Sequence, residues 1–195
     1  MVKDIFVILK TAANRKKNRA RIRPVFLIPV PYILFIIIVL AVQIFLLNNL
    51  TFSTYIAPLA YIVCLILTPL GTSPLRMIFN GLLLGLAMDI TMGAVGLNVI
   101  ATLPVAYFRR PILHFAASYT DVDNEMGVPT SRRIGRFNNY VVAMVVLHSL
   151  LFFGFECMTT ANIGFIALRF LCSTAATLAL TYLFIAIFTP KLTRR

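Results

Sequence analysis

Four ionisable side chains stand inside otherwise apolar stretches of this chain: Asp89, His148, Glu156 and Arg169. An ionisable group surrounded by hydrocarbon is costly, so each must find a partner or serve a function. The two acids and Arg169 fall at similar depth, near one end of their stretches, and Arg169 is expected to pair with Asp89 or Glu156 or both. Ser173, Thr177 and Thr181 follow Arg169 at intervals of four and share its stripe of a helix. His148 and Glu156, eight apart, share a face of another helix. The result is a polar seam with two readings. Either it clamps three helices together, or it lines a cavity for a small ligand or a partner helix.

Catalysis is not expected from this inventory. The two histidines, His114 and His148, lie on separate elements without the grouped ligands a metallohydrolase needs. No G-x-S-x-G elbow or phosphate-cradling glycine loop is present. The acids of DVDNEMG lack the glycine position and terminal glutamate of a calcium loop. Neither metal nor cofactor is expected. Cys64, Cys157 and Cys172 are odd in number and read as packing residues rather than a disulfide framework.

The elements that must carry the seam follow from composition. Hydrophobic residues make up 60% of the 195, charged ones 12%, and mean hydropathy is +0.92, more apolar material than a soluble core uses. We read an all-α membrane protein, a compact six-helix bundle forming one domain over residues 25–190. Its spanning helices are expected at about 25–47, 56–70, 75–91, 96–108, 140–155 and 163–188, on the basis of about 20 residues per crossing. A net charge of +12 would suggest nucleic acid in a soluble protein. Here the basic residues cluster beside apolar runs and read as topology signals, so nucleic acid is not expected.

That rule places residues 1–24, the loop 109–139 and the tail 191–195 on the cytoplasmic side of the membrane, with both termini inside. The first apolar run is too long for a signal-peptide core and should remain as a helix. Arg15, Lys16, Lys17, Arg19, Arg21 and Arg23 in the leader are candidates for contact with anionic lipid. Gly81, Gly85 and Asp89, spaced by four, put two small residues and a carboxylate on one helical face, suited to close helix packing. A turn over 91–96, with Gly93 and Gly96, folds this helix back on the next.

The strings GLLLGLAMDI (81–90) and GAVGLNVIATLPVAYFR (93–109), with QIFLLNN (43–49), HSLLFFGFE (148–156) and the region of Arg169, Ser173 and Thr174, resemble the rod shape-determining protein MreD family in its Bacteroidetes form. The resemblance spans roughly residues 35–188. Two features depart from the pattern: Asn98 stands where many relatives carry histidine, and the basic leader is longer. The resemblance implies a non-enzymatic scaffold of the cell-wall elongation machinery that helps maintain cell shape. Its partners would be a bitopic MreC-like protein and, directly or through it, MreB, RodA and the elongation penicillin-binding protein. It also implies a fold similar to the substrate-binding subunits of energy-coupling-factor transporters. The alternative function is therefore a small-molecule-binding subunit of a vitamin-type uptake transporter. A homodimer is left open.

Overall fold

A computed structural model describes residues 30–48, 56–94, 96–117, 127–131, 134, 136–158 and 163–193. The basic leader (Arg15, Lys16, Lys17, Arg19, Arg21 and Arg23), the acids of the 109–139 connection and the last two arginines lie outside these residues. The chain divides into two units, Met1–Ile33 and Leu34–Arg195, and the packing described below belongs to the second.

The described residues contain helices and no strand: α1 (Val30–Ala41), continued by a π-helical stretch (Val42–Leu47), then α2 (Ile62–Ile66), α3 (Pro74–Met92), α4 (Leu97–Ala117), α5 (Phe137–Cys157) and α6 (Ile163–Thr193). Three stretches, Pro74–Met92, Phe137–Cys157 and Ile163–Pro190, are long and apolar enough to cross a membrane. The outward faces of these helices agree, with Phe79, Leu83, Ile90, Leu150, Leu171 and Leu183 among the exposed side chains. This is an all-α protein built for a bilayer.

Successive long helices run antiparallel. Gly81 meets Thr102 and Ala106, Gly85 meets Val99, Arg136 N–H donates to the Ala116 carbonyl, and Glu156 pairs with Arg169. This order brings Arg76, Arg110, His114, Arg136 and the last turn of α6, with Lys191, to one end of the bundle. Asp89, Glu156 and Arg169 lie toward the other.

The segment expected to form a helix over 56–70 is where the structure departs most from the sequence reading. Only Ile62–Ile66 is helical there. From Leu59 to Thr68 no residue is more than 1% exposed, and α2 touches each of α3, α4, α5 and α6. The physical reason lies at both flanks: Pro58 and Pro69 each lack an N–H, and the non-helical backbone beside them finds partners on neighbouring helices instead of along its own axis.

A second correction concerns 96–108. The helix continues through Pro104 and Pro111 to Ala117, so Arg109 and Arg110 are helical and do not open the loop. Proline is tolerated here because neighbouring elements hold the helix on both sides of each missing amide. The other long helices extend the expected 75–91, 140–155 and 163–188 to 74–92, 137–157 and 163–193, and residues 25–29 of the first lie outside the described residues.

The α3–α4 hairpin is the tightest contact in the bundle. α3 ends on Gly93 at φ +64°, Gly96 follows at φ +82°, and the Ala94 N–H returns to the Asp89 carbonyl. A β-carbon on Gly85 would stand 2.7 Å from Val99 Cα, and one on Gly81 2.9 Å from Ala106 Cβ. Backbone cannot yield to a methyl group as a flexible side chain can, so Gly85→Ala should cost about 1–3 kcal/mol. Thermal unfolding of the detergent-purified protein, followed by circular dichroism, should show the loss. Gly154→Ala should not lower the transition, because nothing lies within 4 Å of its added carbon and alanine suits a helix interior better than glycine.

Candidate functional site

The buried segment 56–70 organises the polar side chains of the bundle into three layers. At its start, the Ala57 N–H donates to Ser173 Oγ at 2.9 Å and the Leu59 N–H to Thr177 Oγ1 at 3.0 Å. Alternate amides of a non-helical chain lie up to about 6.6 Å apart, and residues four apart on a helix rise about 6 Å, so the hydroxyl spacing of α6 matches the amide spacing of the segment. The carbonyl between them, on Pro58, accepts from Gln43 Nε2 at 3.0 Å. Gln43 sits in the π-helical stretch, 1% exposed, and its amide also donates to Asn48 Oδ1. The next hydroxyl of the stripe, Thr181, is buried with no partner for its Oγ1, because by that level the segment has wound into α2.

The middle layer is a chain of hydrogen bonds running from α5 to α3. Asp89 accepts from the Asn98 N–H at 2.9 Å, the Asn98 Nδ2 at 2.9 Å and the Val99 N–H at 3.0 Å. It thus caps the first turn of α4, where an anionic group is favoured by the unpaired amides and by the helix dipole. Because the carboxylate takes the Asn98 NH2 group, the amide oxygen is turned toward the Tyr61 hydroxyl, 3.2 Å away. Thr102, also in reach of Tyr61 at 3.1 Å, gives its own proton to the Asn98 carbonyl. Both groups of α4 facing Tyr61 are therefore acceptors. Tyr61 donates to one of them, and its oxygen accepts from His148 Nε2 at 2.8 Å. This assigns the His148 proton to Nε2, leaving Nδ1 a buried acceptor with no partner. Phe152 stacks near the imidazole, its ring centroid 6.5 Å away.

The third layer closes the segment's far end. Arg109 is 1% exposed; its guanidinium donates to the Thr68 carbonyl and its Nε to the Tyr140 hydroxyl at 3.1 Å. Tyr140 passes its own proton to the Ile66 carbonyl at 3.0 Å, while Thr68 Oγ1 donates back to the Cys64 carbonyl. A residue read from sequence as a cytoplasmic marker is thus the largest fully buried side chain among the described residues.

The sequence-derived seam is placed as follows. Ser173 and Thr177 bind the segment, His148 reaches it through Tyr61, and Arg169 pairs with Glu156 while its guanidinium carbon lies 5.9 Å from the Phe153 ring. Asp89 does not meet Arg169: its three acceptor contacts are all with α4, so the clamp it forms is within the α3–α4 hairpin. His148 belongs to the middle layer, whereas Glu156 pairs with Arg169 apart from the three layers. Gly81 and Gly85 sit against α4, on the face that also carries Asp89.

Sequence reasoning assigned no place in the polar interior to Gln43, Tyr61, Asn98, Thr102, Arg109 or Tyr140. Each is a polar group within an apolar run, which is the available signal, but none except Arg109 carries charge to draw notice. No group of three His, Cys, Asp or Glu capable of holding a metal occurs among the described residues. No protein-family model, no curated protein and no solved structure matches the chain.

Removing both hydroxyls with Ser173→Ala and Thr177→Val leaves the buried Leu59 amide without its partner, at about 1–3 kcal/mol, and the half-buried Ala57 amide likewise, at a smaller cost. The double variant should unfold at a lower temperature than either single one, and an unchanged transition would show that the segment is held otherwise. For the middle layer, nitrogen NMR of histidine-labelled protein should report His148 as the single Nε2–H tautomer. Tyr61→Phe should abolish that preference.

Proposed function

We propose that this protein is a non-enzymatic integral membrane scaffold of the MreD type, crossing the bacterial inner membrane six times with both termini cytoplasmic. On this reading the cationic end of the bundle faces the cytoplasm, in keeping with the retention of Lys and Arg on that side. The buried segment 56–70 is the second crossing, and it spans without a continuous helix because protein surrounds it. The compact bundle is of the kind found in substrate-binding subunits of energy-coupling-factor transporters. Its work is to hold the transmembrane segment of a bitopic MreC-like protein and so connect MreB to RodA and the elongation penicillin-binding protein.

The polar interior supports a scaffold rather than a catalyst. Gln43, Ser173, Thr177, Tyr140 and Arg109 are engaged with backbone, and Asp89 with the end of a helix. The observation that carries the reading is the Glu156–Arg169 pair. It lies toward the outer end with side chains 18% and 25% exposed, and Arg169 Nε is a buried donor with no partner. A polar atom on the juxtamembrane part of a partner helix would satisfy it.

Co-expression with the MreC-like protein of the same bacterium and affinity purification in mild detergent tests this. Wild type should retain that partner. Glu156→Gln with Arg169→Gln, which removes both charges and leaves polar amides in their place, should lower its recovery at least about fivefold, the equivalent of about 1 kcal/mol. The reading fails if wild type retains no MreC-like protein.

A further inference from the structure

A groove of about 400 Å³ opens on the outer surface between α4 and α5, at the cationic end of the bundle. Its walls are Ile112, Phe115, Ala116, Val142, Ala143 and Val146, with Asn139 at the mouth. The two alanines, facing each other from neighbouring helices, create the space that larger side chains would fill. Phe115, Val142, Ala143 and Val146 are exposed, so the groove is open to whatever surrounds the bundle, and its apolar lining suits hydrocarbon rather than water.

The mouth has the opposite character. Arg136 is exposed and stands at the N-cap position of α5, where its side chain makes no capping bond. Its backbone N–H donates to the Ala116 carbonyl at 3.2 Å, which ties the start of α5 to the end of α4 just beside the groove. Arg110 and the exposed His114 lie on α4 at the same end. An apolar slot with a cation at its entrance is complementary to an amphiphile with an anionic head. Length decides between that and a protein helix: Asn139 to Val146 is two turns, about 10 Å, short for a stable helix–helix interface.

We infer that this groove is a binding site for an anionic phospholipid, with one acyl chain between α4 and α5 and the phosphate held by Arg136. The site rests on the membrane reading but not on any scaffold partner. An arginine can engage phosphate through paired N–H donors, and a basic residue at a membrane surface favours an anionic lipid by a factor of about five.

Native mass spectrometry of the full chain, in detergent carrying equal amounts of phosphatidylglycerol and phosphatidylcholine with identical chains, tests the site. Wild type should keep phosphatidylglycerol about fivefold over phosphatidylcholine. Arg136→Gln should retain lipid but lose the preference, and Ala143→Leu, which fills the groove from an exposed position, should reduce retention of both lipids at least about fivefold. Equal retention of the two lipids by wild type overturns the inference, and that measurement does not depend on how either variant folds. Undiminished lipid on Ala143→Leu overturns it too, including the case where that variant instead loses an MreC-like partner. A failed lipid result beside intact recovery of MreC-like protein leaves the scaffold reading standing, and the converse leaves the lipid site standing.

Discussion

A polypeptide away from water must satisfy each of its own amides and carbonyls, and the segment 56–70 does so without being a continuous helix. A lipid-facing chain in that form would be untenable, since every unpaired backbone group in hydrocarbon costs several kcal/mol. Here the ring of α3, α4, α5 and α6 takes the place of solvent. Ser173, Thr177, Gln43, Tyr140 and Arg109 each direct a polar atom at a backbone group that helical geometry would otherwise have met. Most of the polar residues in the bundle become intelligible once that need is recognised.

The same need explains why the middle layer contains a tyrosine. Tyr61 belongs to the buried segment, yet its hydroxyl touches Asn98 and Thr102 of α4 and His148 of α5. One phenol therefore ties the centre to two sides of the ring. The direction of donation starts at Asp89, whose carboxylate can only accept, and passes through the Asn98 amide to fix the proton on His148. Asp89 is itself stable in this setting through three N–H donors at a helix start, which removes the need for a cationic partner.

A core committed in this way leaves the perimeter as the place where the proposed contacts with neighbours fall. The interior holds the helices at set positions, and two features sit at the perimeter: the Glu156–Arg169 pair, which joins α5 to α6 toward one end, and the α4–α5 groove at the other. They lie at opposite ends of the bundle, so on the proposed readings a protein neighbour at the first would not compete with a lipid at the second. The close α3–α4 contact at Gly81 and Gly85 keeps that hairpin rigid between them.

The sequence by itself determined the class of the protein, the existence of its long helices, the glycine turn after α3 and the residues of the Ser173–Thr177 stripe. All of these depend on composition and local periodicity, which are readable along one chain. Only the tertiary structure decided that 56–70 is not a continuous helix, because Pro58 and Pro69 permit either outcome and the choice lies with hydroxyls more than a hundred residues away. It also decided that Arg109 is buried: a basic residue at the end of an apolar run looks the same from sequence whether it faces lipid headgroups or the Thr68 carbonyl. Asp89 was recognisable as a residue needing a partner, but three donors within ten residues met that need before Arg169 could, and it is chain reversal at Gly93 and Gly96 that brings them within reach.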